Sequence, residues 1–168
     1  MVLLLNHDLS AQTNFNIAVG ASLSKQSYNR TICRRWGCDT FSSANSYGGI
    51  LFNPRVDFDV DSIAAMSVSS YIELGKDKFE VPLMIELHAG NRKKFQVFAG
   101  GGFYAGYYNL EPHSRVLFGP QVDGGVEFNL LKQRFVVRYS FSKSYMRGYS
   151  TDFHKQQSIN ACIYLNHK

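Results

Sequence analysis

The sequence predicts an all-β fold, an eight-stranded antiparallel up-and-down transmembrane β-barrel spanning residues 12–168. Three observations lead there. Apolar residues recur at every second position through eight segments, the period of a strand and not of a helix. The links between segments alternate between tight and long, as they do when strands run up and down a membrane barrel. The face opposite the apolar one is built largely from glycine, serine and alanine, which fill a narrow interior and do not solvate a surface.

The eight segments follow one another without a helical period. NFNIAVGASLS sets Phe15, Ile17, Val19, Ala21 and Leu23 on one face, and ILFNPRVDFDV does the same with Ile50, Phe52, Pro54, Val56 and Phe58. SIAAMSVSSYIEL carries Ala64, Met66, Val68, Ile72 and Leu74; FEVPLMIELHA carries Phe79, Val81, Leu83, Ile85 and Leu87. In FQVFAGGGFYAGYY, Phe95, Val97, Phe103 and Tyr107 share one parity while Gly100, Gly102 and Gly106 share the other. RVLFGPQVDGGVEFNL, RFVVRYSFSKSY and QSINACIYLNH complete the set, the last with Ile159, Ala161, Ile163 and Leu165 aligned. Short turns are expected near residues 59–62, 90–93 and 131–133, and longer polar links at 25–49, 109–114 and 146–155, with 75–78 a short exception among them.

Composition agrees with this reading. Of 168 residues only 18% are charged, against ~25% in ordinary soluble domains. The chain has ten tyrosines and thirteen phenylalanines, and no apolar run long enough to form a spanning helix. Alternation hides a membrane strand's hydrophobicity in the average, so this excludes helical membrane proteins alone. The net charge of +5 is modest and its lysines and arginines are scattered, which argues against nucleic acid as a partner. Residues 1–11 read as the remnant of a signal peptide, an apolar run from Val2 to Leu5 followed by the small Ser10 and Ala11 before Gln12.

Which face meets lipid is decided by the other face. Its charges are few and of mixed sign: Arg55, Asp57, Glu80, Glu86, Asp123, Glu127 and Arg138. Such groups pair with one another in a closed lumen, where a lone charge would cost several kcal/mol. On the apolar face, Phe15, Phe58, Phe95, Phe128 and Phe135 gather at the short-turn end and Phe52, Phe79, Tyr107, Phe118 and Phe141 toward the long-loop end. Two aromatic rings about an aliphatic belt suit the two membrane interfaces. The competing arrangement is a soluble lipocalin-like carrier with the apolar face inside.

Over Gln12 to His167 this pattern resembles the small outer-membrane β-barrels of Gram-negative bacteria, and most closely the "outer membrane protein beta-barrel domain" type abundant in Bacteroidota. FEVPLMIELHAG and FAGGGFYAGYY carry the resemblance, and LSAQ resembles signal cleavage sites of that phylum. The final ACIYLNHK departs from common barrels in lacking a terminal aromatic. The resemblance implies export through the periplasm to the outer membrane, contact with outer-membrane lipids, and no cofactor.

Candidate chemistry is sparse. Glu86 and His88 share the inward face and are expected to join the lumen network, although a Glu and His two apart on a strand also suit a metal or a proton shuttle. His113 with Ser114, and His154 with Ser158, offer no nucleophile beside a base, and both histidines are expected to be exposed in loops. Tyr71, Phe98, Tyr104, Tyr108 and Tyr164 point inward and plug the lumen. The long links are richer: Lys25, Arg30, Arg34, Arg35 and Trp36 in the first, and Lys143, Arg147 and Lys155 around the last. Guanidinium forks suit phosphates, and Trp, Tyr and Arg suit protein interfaces, so lipopolysaccharide and other envelope proteins are the candidate partners. Cys33 and Cys38 are spaced for a disulfide closing a small loop, and Cys162 is left over in a strand. The function expected is that of a non-enzymatic structural or interaction protein, alone or as a subunit of a larger envelope complex. A lipid-modifying outer-membrane enzyme is the alternative from another class.

Overall fold

A computed structural model describes residues 13–61, 63–110, 113–145 and 153–165, with the side chains of 30–33, 110, 113–115, 145 and 153 left aside. Residues 1–11, assigned above to a signal remnant, and Arg147 lie outside the described residues. Nine strands run in order: β1 (Thr13–Arg34), β2 (Gly37–Asp59), β3 (Ala64–Ser69), β4 (Ile72–Gly75), β5 (Lys78–Asn91), β6 (Phe95–Leu110), β7 (His113–Leu130), β8 (Gln133–Tyr145) and β9 (Phe153–Tyr164). Each pairs antiparallel with its neighbours, and β1 pairs with both β2 and β9, so the sheet closes on itself. The ring has eight positions, because β3 and β4 occupy the same one between β2 and β5.

The sequence treats residues 62–74 as one strand; the structure interrupts it at Ser70–Tyr71. Prolines on both sides account for this. Pro54 of β2 stands opposite Ser70, between the pairs Phe52↔Ile72 and Arg55↔Ser69, and its carbonyl accepts the Ser70 N–H at 3.0 Å. Proline has no N–H to return that bond. Pro82 of β5 stands opposite Tyr71, between the pairs Glu80↔Glu73 and Met84↔Ser69. The register is the same before and after the break, so the ring stays intact.

Starting at Leu23 and stepping from partner to partner around the ring leads through Ile159, Tyr139, Gly124, Ala99, Leu87, Met66 and Phe58 to Thr13, ten residues back along β1. With a ~3.3 Å rise per residue and ~4.8 Å between strands, that stagger tilts the strands by about 40°. Large apolar side chains cover the outside: Phe103 is 70% exposed and Leu83 62%. The charged residues Arg55, Glu86, Glu127 and Arg138 are buried within. A soluble barrel would reverse this, and the faces are arranged for hydrocarbon outside. Phe128 and Phe135 stack at 5.7 Å between ring centres at the short-turn end.

The turns at that end are tight. Leu131 and Lys132 join β7 to β8 with φ of 51° and 66°, both positive as a two-residue hairpin turn requires. Between β2 and β3, Asp61 accepts the N–H groups of Ile63 and Ala64 at 2.7 and 2.8 Å. The far end differs from expectation. The link at 25–49 is no loop: β1 and β2 continue through it, pairing from Lys25↔Ser46 to Arg34↔Gly37 across a turn at Arg35–Trp36. Beyond Lys25 this hairpin projects some ten residues, roughly 30 Å along the strand. The link at 109–114 is likewise shortened, since β6 and β7 pair as far as Leu110↔His113. The last link is shorter at its C-terminal side, with His154 and Lys155 inside β9.

Glycine on the inner face lets neighbouring strands coil closely. A Cβ added to Gly102 would lie 2.0 Å from the Leu83 carbonyl oxygen, whereas at the outward Gly101 the nearest atom is Gln121 O at 3.9 Å. Gly102→Val is therefore expected to cost about 1–3 kcal/mol or more by overpacking and to deplete the compact band of the unboiled protein on a detergent gel. Gly101→Val is expected to leave that band intact.

Candidate functional site

The interior carries three polar clusters stacked from the short-turn end to the projecting hairpin. At the bottom, Arg55 bonds Asp57 through Nε at 2.7 Å and Glu127 through Nη1. Glu127 also receives Arg134, whose Nη2 reaches Gln96 Oε1 at 2.6 Å, and the Tyr164 hydroxyl at 3.2 Å. The Arg55 guanidinium lies 4.9 Å from the centre of the Tyr164 ring. Arg92, from the turn after β5, caps the cluster by reaching Asp57 at 2.7 Å and pairing with Asp59.

In the middle, Arg138 donates to Glu86 at 2.8 Å and lies 3.4 Å from Asp123. Its guanidinium covers the rings of Tyr71 and Phe98 at 4.4 and 5.1 Å. Ser69 and Ser67 donate to the two Glu86 oxygens at 2.6 and 3.2 Å. His88 stands between the clusters, its Nε2 2.8 Å from Ser67 Oγ and its Nδ1 3.8 Å from Glu127. At the top, Lys78 Nζ lies 2.5 Å from Glu73, 3.1 Å from Glu80 and 2.6 Å from Ser24 Oγ. Ser22 donates to Glu73, Tyr108 donates to Glu80, and Gln156 donates to Glu80 at 2.6 Å.

These contacts gather Arg55, Asp57 and Glu127 at one level, Glu86, His88, Asp123 and Arg138 at the next, and Glu80 at the third. Glu73, Lys78, Arg92 and Arg134 belong to the same network and were not singled out in the sequence. Inward parity marks Glu73 and Arg134. Lys78 was assigned to a turn, and Arg92 reaches the interior from a turn that parity does not cover.

One arrangement looks catalytic. Ser67, His88 and Glu127 hold the order hydroxyl, imidazole, carboxylate, yet all three are buried and Ser67 shares its oxygen with Glu86. Acyl transfer needs a substrate within reach of the nucleophile, and the inward tyrosines close the lumen around this group. Between Tyr71, Glu73, Glu80, Pro82, Gln121, Gln156 and Ser158 about 200 Å³ stays unfilled, in spaces too narrow for a water-sized sphere. His154, expected in a loop, is instead a buried residue of β9 with its ring 5.2 Å from that of Tyr108. The period-two pattern simply begins earlier in β9 than its apolar residues reveal. The side chains of His113 and Ser114 lie outside the described residues. Among the described residues no group of three His, Cys, Asp or Glu is placed to hold a metal ion.

The projecting hairpin is the other candidate. Trp36 at its turn is 94% exposed, and Arg34, Arg35 and Phe41 are also exposed. Lys25 lies at its base, on the outward face. Cys33 pairs directly with Cys38 in the register, one step from the turn. The side chains of Arg30 and Cys33 lie outside the described residues.

No family model matches the sequence. No curated protein matches it. Among solved structures the chain is similar to Neisserial surface protein A, with a TM-score of 0.57 at 9% identity over 93% of this chain and 99% of that one. It is also similar to Ail, the attachment invasion locus protein of Yersinia pestis, solved in complex with the heparin analogue sucrose octasulfate: TM-score 0.54, 13% identity, 90% of this chain and 97% of that one. The fold is thus that of small eight-stranded outer-membrane barrels.

Glu127 is buried and ion-paired with both Arg55 and Arg134. Glu127→Gln leaves two buried guanidinium groups short of a charge, and is expected to cost about 3–5 kcal/mol, read as a lower urea midpoint of the folded barrel in detergent. Lys132→Gln, on an exposed turn, is expected to change the midpoint by less than about 0.5 kcal/mol equivalent.

Proposed function

We propose that this chain is an integral outer-membrane protein whose sealed barrel is a rigid, non-enzymatic mount for the projecting β1–β2 hairpin, and that the hairpin binds anionic envelope components or a partner protein. The observation that carries the reading is the hairpin itself: roughly half of two paired strands stands beyond the apolar belt, ending in exposed Arg34, Arg35 and Trp36. A strand ladder holds these side chains in place, which lowers the ordering cost that a floppy loop would incur on binding. Arginine forks match sulfate and phosphate oxygens, and tryptophan adds apolar contact. The likeness to Ail, whose structure holds a polysulfated sugar, supports a polyanion such as lipopolysaccharide as the first ligand to test.

The lumen supports the mount. Buried ion pairs join β2 to β7 and β5 to β8 across the barrel, and a third cluster ties β4 to β5. The barrel is assigned to the type common in Bacteroidota on the sequence patterns described above.

The Cys33–Cys38 bridge belongs to the same proposal. Directly opposed residues of antiparallel strands have Cα atoms about 4.5–5.5 Å apart, inside the range a disulfide spans. Alkylating the unfolded, unreduced protein with iodoacetamide should add one label, at Cys162, and three after reduction; three labels without reduction would remove the bridge.

Arg34→Ser with Arg35→Ser is expected to weaken binding of the refolded protein to immobilised lipopolysaccharide by roughly tenfold or more, given about 1 kcal/mol for each basic side chain near an anionic surface. Trp36→Ala should weaken it further. Unchanged binding in both variants would dismiss the hairpin as the anion site, and crosslinking in native membranes would then test it as a protein interface.

A further inference from the structure

The outer wall is not uniform around its circumference. At the height where β1 leaves the apolar belt, three neighbouring strands present lysine outward. Lys143 of β8 pairs directly with Lys155 of β9. Lys155 pairs with Ser27 of β1, two residues above Lys25. Because a 40° tilt displaces each successive pairing partner by about 3 Å along the barrel axis, Lys25, Lys155 and Lys143 come to nearly the same level. On the opposite wall that level is held by Phe79, Tyr107 and Phe118, which the register links through Phe79↔Tyr107 and Ala105↔Phe118. The interfacial aromatic ring is therefore broken on one side and replaced by positive charge.

Like charges directly opposite one another destabilise a sheet. Among the described residues no carboxylate lies within ion-pair distance of Lys25 or Lys155. Immediately below the lysines the wall is hollowed. A groove of about 500 Å³ runs between Leu23, Tyr139 and Ile159 below and Lys25 and Gln157 above, with the small Ser24, Gly48 and Ser158 forming its floor. Leu23 and Ile159 are directly paired, as are Ile159 and Tyr139, so the apolar lining is continuous across β1, β9 and β8.

We propose that the outward face of β8, β9 and β1 binds one phosphate-bearing lipid of the surrounding leaflet, its phosphate among Lys25, Lys143 and Lys155 and an acyl chain in the groove of Leu23, Tyr139 and Ile159. The charge asks for an anion, the height is that of lipid headgroups, and the groove asks for hydrocarbon in continuity with it. A lysine stem lies along apolar surface while its ammonium reaches the headgroup. A soluble anion would leave the groove empty, and a neutral lipid would leave Lys25 and Lys155 without a counter-charge. This inference rests on the membrane-spanning reading above, but concerns the wall and not the hairpin.

The test is native mass spectrometry of the full refolded chain in detergent, titrated separately with dioleoyl phosphatidic acid, with dioleoylglycerol and with inorganic phosphate. One phosphatidic acid adduct per barrel is expected, with dioleoylglycerol at least tenfold weaker. Lys25→Gln with Lys155→Gln should weaken the adduct roughly thirtyfold, at about 1 kcal/mol for each lysine. Ile159→Trp, which fills the groove and keeps every charge, should weaken it as well. Each variant is first shown to keep the heat-modifiable band of the folded barrel. Equal binding of dioleoylglycerol, unchanged binding by the double lysine variant, or full competition by inorganic phosphate would overturn the proposal. Loss of the adduct in Arg34→Ser with Arg35→Ser instead would move the lipid to the hairpin. Lipopolysaccharide binding by the hairpin is read separately, so either result can stand without the other.

Discussion

In hydrocarbon every backbone N–H and C=O must find a partner within the protein, since an unpaired group costs several kcal/mol and no water is present to replace it. Closure of the sheet answers this demand here: β1 pairs with β2 from Thr13 to Arg34 and with β9 from Ala18 to Asn29, so among the described residues the sheet has no edge strand. The other features follow from closure. Eight strands staggered by ten residues leave a cylinder just wide enough for side chains to fill. Whatever points inward must then both fill that cylinder and satisfy its own charges.

The interior meets the two requirements with one set of residues. Arginines give volume, donors and charge together. Arg55 joins Asp57 and Glu127 while resting on Tyr164, and Arg138 joins Glu86 while covering Tyr71 and Phe98. Glycines on the same face, Gly102 among them, bring adjacent strands close enough for these long side chains to meet across the lumen. The one irregularity of the wall, at Ser70–Tyr71, is tolerated because it lies between two prolines within an otherwise continuous register. A sheet with free edges would slip at such a point; a closed one has no register to slip into.

A barrel whose interior is cross-braced by ion pairs turns its distinctive features outward. The surface is specialised in two places, the hairpin beyond the membrane and the lysine-rimmed wall at its base. Both include β1, with β2 in the hairpin and with β9 and β8 in the wall, so that side of the barrel is where the two proposals place anionic material of the envelope. Ser67, His88 and Glu127 show how the same packing places residues of catalytic type side by side inside the wall, where all three are buried and Ser67 is shared with Glu86.

Period-two alternation, read with the small-residue inner face, determined by sequence alone that the chain is all-β, that it closes in eight positions, and that phenylalanine faces outward. These depend on local side-chain direction, which alternates strictly along a strand. The inward charges Arg55, Asp57, Glu86, Asp123, Glu127 and Arg138 were legible for the same reason. Alternation loses its force where both faces are polar. The stretch from Lys25 to Gly49 therefore read as a loop although its strands pair to Arg34↔Gly37, and His154 read as exposed although β9 buries it. Lys78 was missed because its pairing with Tyr108 of β6, not its own neighbours, sets where the strand begins. Which inward charges meet, and which outward lysines share a height, depends on register and tilt around the closed ring. Only the tertiary structure decides those, because they join residues as far apart in sequence as Lys25 and Lys143.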